Sequence, residues 1–231
     1  MAGRKTDDAD LSVTMRDYLA QIYRLSSHEG EDTYISTSTL ADLADVSAPA
    51  VNRMVTRLKE MGLLEHEPYQ GVRLTEPGKR EALKALRRHR IAEAFLVKVM
   101  GFGWHEVHEE ADRISRALSE AITERMAEMA GNPTHCPHGE PIPSPDGILP
   151  ELNDQLLAGI PSGTDVEITR VRTREADRLE YMAALGLVPG TRLHVLHVAP
   201  FNGPMQLKVG NEYRIIGHNL AELIRVRVMG G

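Results

Sequence analysis

Residues 46–64 read VSAPAVNRMVTRLKEMGLL, and the N-terminal third is best understood from this stretch. Val51, Met54, Val55 and Leu58 recur at helical spacing and form one apolar stripe, which predicts a helix over 48–61. Ser47 stands as its N-cap, Pro49 lies in the first turn where a missing N–H costs little, and Gly62 supplies the stop. Asn52, Arg53, Thr56 and Arg57 fall on the opposite, outward face. Asn and Arg are the side chains that pair bidentately with adenine and guanine edges. The N-terminal face of this helix, with Ser47, Pro49 and Ala50 at its start, therefore suits the major groove.

Working outward, residues 14–27 (TMRDYLAQIYRLSS) place Met15, Leu19, Ile22 and Tyr23 at helical spacing. Residues 36–46 (STSTLADLADV) predict a second, short helix with N-cap oxygens between Ser36 and Thr39. After the third helix, LLEHEPYQGVRLTEPG at 63–78 predicts two strands around a Tyr69-Gln70-Gly71 turn. Two short helices, a helix with a polar face and a hairpin make a winged helix-turn-helix. In that reading Arg57 and Arg73, the latter on the hairpin, reach phosphates and set register. A helical protein-interaction domain with solvated charges would carry the same pattern.

A Leu-, Ala- and Arg-rich helix is expected from Lys79 to Val99, broken by Gly101 and Gly103, with another over 105–129. GNPTHCPHGEPIPSPDG follows at 131–147, with five prolines that make it a turn region or a linker. Beyond it lie β-like runs at Asp165–Val171, Arg192–Val198, Met205–Val209 and Leu223–Val228, interrupted by a helix near 175–185. About five short strands in this span suggest a small barrel. The class is mainly α with small β parts. The expected domains are 1–78, 79–146 and 155–231.

The 231 residues are 42% hydrophobic and 26% charged, a globular composition that excludes full disorder. Apolar runs are too short to span a bilayer, and the acidic start (Asp7, Asp8, Asp10) is unlike a signal peptide. One cysteine cannot form an internal disulfide, which fits a cytoplasmic protein that has no membrane partner. The net charge of −6 argues against nucleic-acid binding only until it is located. Residues 1–90 balance 14 basic against 14 acidic groups, whereas 91–145 hold 4 against 9.

His89, His105, His108, His135 and His138 cluster in and beside that acidic segment, together with Cys136. Carboxylates, imidazoles and a thiol crowded together call for a cation. His89 and Glu93 share one helix face at i, i+4; His105, His108 and Asp112 share a stripe of the next helix. Two antiparallel helices can bring His89, Glu93 and His108 together as bundle metal sites do, although any one of these histidines taken singly suits a solvated surface. In HCPHG, Pro133 and Pro137 stiffen a turn carrying Cys136 and His138. That pair could also be a nucleophile and base of a hydrolase, but no orienting third group is evident.

The chain resembles the diphtheria-toxin-repressor family of metal-dependent transcriptional regulators over nearly its whole length. DYLAQIYRL (17–25), VSAPAVNRMVTRLKEMGLL (46–64) and RRHRIAEAFL (87–96) carry the likeness. So do WHEVHEEADR (104–113), CPHGEPIP (136–143) and YMAALGLVPGTRLHV (181–195). The resemblance implies a winged-helix domain, a helical dimerisation domain with metal sites and a C-terminal SH3-like barrel. It implies a homodimer that binds palindromic operators in double-stranded DNA and represses metal-uptake genes. His89, Glu93 and His108 match one site of the iron-type members, completed by Glu175. CPHG is similar to the manganese-type members, in which Glu93, Cys136, His138 and an acid at Glu175, alternatively Asp177, would form the main site. Asp17 and Asp112 match a further site.

The family's usual Glu-His pair is Ser115-Arg116 here, and Arg116 would repel a cation, which weakens the Asp17/Asp112 site. Mn(II) is the expected metal, with Fe(II) the alternative and Zn(II) or other divalent ions able to bind in vitro. Two other functions compete: a regulator on the same scaffold without metal sensing, and a metal-dependent hydrolase.

Overall fold

The computed structural model describes residues 11–29 and 33–230. Residues 1–10, which open the expected first domain, and Gly231, which closes the last, lie outside the described residues. The chain forms two compact units: Met1–Arg88 with Pro143–Leu149, and His89–Ile142 with Pro150–Gly231.

The first unit contains α1 (Val13–Glu29), α2 (Thr37–Ala44), α3 (Ala48–Glu60) and an antiparallel hairpin of β1 (Leu64–Glu67) and β2 (Gly71–Leu74). Ser36 caps α2 by accepting the Thr39 N–H at 3.0 Å. Asp45 ends α2 in the left-handed region, φ 49°, which turns the chain sharply toward Ser47 and α3. Met15, Leu19 and Ile22 of α1 pack with Leu40, Val51, Val55, Leu58 and Val72 as the buried core. Met54 is only half-buried at its margin. Tyr69 is fully exposed at the hairpin tip, with φ 67°.

α4 (Glu76–Lys98) starts earlier than expected because Thr75 Oγ1 caps it at Gly78 N, and Pro77 fits the first turn. It runs unbroken through the boundary between the units. Pro143–Leu149 belongs to the first unit: Arg87 Nη1 donates to the Pro143 carbonyl at 2.8 Å, and Leu149 packs on Ala20, Leu83 and Leu86.

In the second unit the single helix expected over 105–129 is two, α5 (Val107–Ser115) and α6 (Glu120–Met129). Ser119 causes the break: its hydroxyl accepts the Ile122 N–H at 3.3 Å and starts a new helix. Val107, Ala111, Ile114 and Leu118 pack in one cluster, but past the break Ile122 is half-exposed.

The barrel is a six-stranded antiparallel sheet in the order β3-β8-β4-β5-β6-β7. Its strands are β3 (Gln155–Leu156), β4 (Thr164–Val171), β5 (Arg192–Val198), β6 (Met205–Val209), β7 (Glu212–Ile216) and β8 (Ile224–Val228). α7 (Ala176–Ala184) and α8 (His218–Ala221) complete it. The alternation read from sequence misses β3 and β7, the two edge strands, because exposed residues dominate both.

A bulge in β4 falls between Ile168 and Arg170, so Thr169 is the extra residue. Past it Val171 enters the barrel core, and Arg170 takes a second buried environment where Asp154 grips it through Nε and Nη2 at 2.7 and 3.0 Å. Burial would raise the Asp154 carboxyl, but Arg170, the Thr169 hydroxyl and Arg225 hold it below its usual value. A depressed carboxylate contributes stability above its unfolded pKa of about 4, and that contribution is lost as pH falls through the folded value. Urea titrations should therefore show Asp154→Asn less stable than wild type by a constant margin from pH 7 to 5. Below about pH 4 the margin should shrink. A pH-independent margin would contradict the charged pair.

Candidate functional site

α4 places His89 and Glu93 one turn apart on the same face, with His89 Nε2 2.9 Å from Glu93 Oε1. Val107 and Ala111 of α5 pack against Ile91, Ala92 and Leu96 of α4, which brings His108 Nδ1 to 2.6 Å from the same oxygen. The Pro-rich turn supplies the third side. Cys136 N–H donates to the Glu140 carbonyl and Gly139 N–H to the Cys136 carbonyl, both at 2.9 Å, closing a turn that points Cys136 and His138 the same way. His138 Nδ1 lies 3.8 Å from Cys136 Sγ and 3.8 Å from Glu93 Oε1. Two ligand groups result, His89/Glu93/His108 and Glu93/Cys136/His138, each with donor atoms within 4.8 Å of one another. Glu93 is common to both, and only 2% of it is exposed.

The surroundings aim these donors. His138 Nε2 donates to the Trp104 carbonyl at 2.7 Å, which leaves Nδ1 on the side of Glu93 and Cys136. Asp112 Oδ1 stands 3.1 Å from His89 Nδ1, on the side away from Glu93. His108 has both ring nitrogens buried without an aligned hydrogen bond, although Nδ1 is close to Glu93. A neutral imidazole has one N–H and one lone pair, so His108 keeps one nitrogen to offer a cation. Burial would raise the Glu93 carboxyl, but His89, His108 and His138 around it hold it well below the usual range. Burial and the Glu93 charge push the Cys136 thiol well up, against the opposing Arg90 charge. A buried carboxylate, imidazole nitrogens and a buried thiol within 4.8 Å of one another fit a divalent cation, which would displace the thiol proton. The raised thiol is the opposite of an activated nucleophile.

The remaining expected ligands belong to neither donor group. Glu175 joins neither group: it precedes α7 as its N-cap, is largely exposed and pairs with Arg178 at 2.7 Å. Asp177 is exposed in the first turn of α7. Asp17 lies on α1 in the first unit and Asp112 on α5 in the second. Asp112 faces His89 through one oxygen and Arg174 Nη2 through the other at 2.5 Å. Ser115 ends α5 and Arg116 caps it. Sequence reasoning missed Trp104 and Arg174, because a backbone carbonyl and an arginine carry no ligand signature.

On α3, Ser47, Pro49, Asn52, Arg53, Thr56 and Arg57 are exposed and Ala50 is half-buried. Thr56 Oγ1 donates to the Asn52 carbonyl at 2.9 Å. Arg73 is held by Glu65 on the neighbouring strand and lies over the Tyr34 ring.

Three family models match the chain. They are the iron-dependent repressor N-terminal DNA-binding domain (residues 10–72), the iron-dependent repressor metal-binding and dimerisation domain (75–144) and the FeoA domain (155–228). The iron-dependent repressor IdeR of Mycobacterium tuberculosis is 31% identical over 229 residues, covering 94% of this chain and 98% of that protein. The diphtheria toxin repressor of Corynebacterium efficiens is 27% identical over 198 residues, covering 81% and 85%. A manganese-dependent transcriptional repressor solved with manganese superposes with a TM-score of 0.84 at 32% identity, covering 93% and 100%. The crystal structure of T. acidophilum IdeR gives a TM-score of 0.78 at 30% identity, covering 95% and 100%.

Proposed function

Because this chain belongs to the iron-dependent, diphtheria-toxin-repressor family of metal-dependent DNA-binding regulators, we propose that it is a homodimeric repressor responding to Mn(II), with Fe(II) as the alternative. Glu93, Cys136 and His138 form its principal centre, and His89 and His108 complete a neighbouring position around the same carboxylate. The observation that carries the reading is the convergence of buried donors from α4, α5 and the Pro-rich turn on one Glu93 oxygen. A bound cation would supply the positive charge this cluster lacks, joining segments far apart in sequence. Affinity for metal is thereby linked to one arrangement of the chain. The likeness to the manganese-dependent repressor supports Mn(II), and Zn(II) should still bind tightly in vitro, because donor affinity follows the Irving–Williams order. The three-domain division at 1–78, 79–146 and 155–231 goes with this reading, as does action in the cytoplasm. No helix among the described residues is long and apolar enough to cross a membrane.

Dimerisation through the helical region is supported by half-exposed apolar side chains on and beside its helices, Val99, Met100, Ile122 and Met129. A two-fold dimer would read the half-sites of a palindrome. Titration with Mn(II), Fe(II) and Zn(II), with stoichiometry per chain, tests the centre. Binding to an operator selected from random DNA, with and without chelator, tests its link to DNA. Operator binding indifferent to chelator would favour a regulator that senses no metal.

Arg53→Ala on the outward face of α3 is expected to weaken operator binding by about 1–3 kcal/mol and relax preference at one base pair. Competition against variant operators measures this. Equal loss on random DNA would reduce Arg53 to a phosphate contact.

A further inference from the structure

Two of the candidate ligands sit on a turn without regular secondary structure, and its closing residue is Glu140. The Glu140 carboxylate lies between two guanidinium groups from different elements. Oε2 accepts from Arg90 Nη2 at 3.1 Å and Oε1 from Arg170 Nη1 at 3.0 Å. Arg90 follows His89 on α4, and its Nη1 also donates to the Pro141 carbonyl at 2.6 Å. Arg170 belongs to the bulge of β4, where Asp154 holds its other nitrogens. The turn backbone is pinned to the same strand, since Val171 N–H donates to the His138 carbonyl at 2.9 Å. Both guanidinium groups are buried, and buried charges require partners. One carboxylate therefore ties the ligand-bearing helix, the ligand-bearing turn and the barrel strand together.

We propose that Glu140 is a positioning residue of the metal centre: bridging Arg90 and Arg170, it holds Cys136 and His138 where they share one cation with Glu93. It touches no cation itself and acts through the turn. Docking of β4 and metal affinity are coupled through it, so a barrel that loosens its hold on Arg170 lowers affinity at Cys136. This rests on Glu93, Cys136 and His138 being the metal centre.

The test uses the full-length protein, with Mn(II) titrated calorimetrically and Co(II) as a spectroscopic probe whose thiolate charge-transfer band reports Cys136 directly. Glu140→Gln, which keeps size and loses charge, should weaken Mn(II) binding about tenfold or more and diminish the Co(II)–thiolate band. Glu140→Asp should recover most of both. Arg170→Gln, which also frees Asp154, should lower affinity at least as much as Glu140→Gln, and adding Glu140→Gln to it should lower affinity no further, because both break the same bridge. Wild-type affinity and an unchanged band in Glu140→Gln would overturn the proposal. So would an affinity loss that leaves the band unchanged while the metal-free melting temperature falls in parallel, which is general destabilisation. Should Glu140→Gln fail to fold, Arg170→Lys, which keeps charge but not the two-sided fork, faces the same two outcomes. A wild type with no Co(II)–thiolate band removes the centre itself. A wild type with the band, matched by Glu140→Gln, removes only the bridge.

Discussion

Replacing Glu93 by alanine is expected to abolish tight divalent-metal binding and, with it, metal-dependent operator binding. Glu93 is the only residue common to both donor groups, and its carboxylate is the anion around which His89, His108 and His138 gather. Loss of residues that merely orient ligands lowers metal affinity by roughly 10–100-fold, and loss of a shared ligand should exceed that range. Cys136→Ala removes a donor from one group only, so it should lower affinity strongly and raise the metal concentration needed for operator binding. The His89/Glu93/His108 group keeps all its members in that variant. Calorimetric stoichiometry separates the cases. A Glu93→Ala protein that still binds one Mn(II) per chain with wild-type affinity would show that the centre is built on other residues.

Gly139→Ala should cost stability and metal affinity together. Gly139 has φ +83°, a conformation that costs other L-residues roughly 1–2 kcal/mol. An added Cβ would lie 2.1 Å from the Thr169 carbonyl oxygen and 2.7 Å from Arg170 Cα, both backbone atoms that cannot move independently. Overpacking of this kind adds about 1–3 kcal/mol, so a total near 3 kcal/mol is expected. The turn carrying Cys136 and His138 would be pushed off β4, and Mn(II) affinity should fall with it. Urea unfolding followed through the barrel, with a parallel Mn(II) titration, measures both. Stability within about 0.5 kcal/mol of wild type would mean that the turn can shift away from β4 without loss.

The helices of the first unit were legible because each buries one apolar stripe, so local periodicity reports the tertiary environment; Ser36 caps α2 through its hydroxyl, whereas Ser47 precedes α3 without a side-chain cap bond. His89, Glu93 and His108 were legible for a related reason: i, i+4 spacing on facing amphipathic helices leaves few ways to pack them. The break between α5 and α6 was harder to see, since Ile114, Leu118 and Ile122 keep helical spacing across it and only Ser119 marks the interruption. The C-terminal acid expected beside Cys136 and His138 joins neither donor group. Glu175 and Asp177 have the right chemistry for a ligand, but chemistry does not say which way a helix N-terminus faces, and Glu175 pairs with Arg178.

By itself the sequence determined the helix-turn-helix, the helical region, the barrel and the residue types that could hold a cation. Each of these follows from spacing, caps and composition within a short window. The tertiary structure alone decided how the ligand turn is held. A single extra residue at Thr169 breaks the two-residue alternation of β4 and sends Val171 into the barrel core. Arg170 is left to meet both Asp154 and Glu140. Strand alternation read from sequence assumes an unbroken ladder, and a bulge depends on the partner strand, which lies 55 residues further along the chain at Arg225.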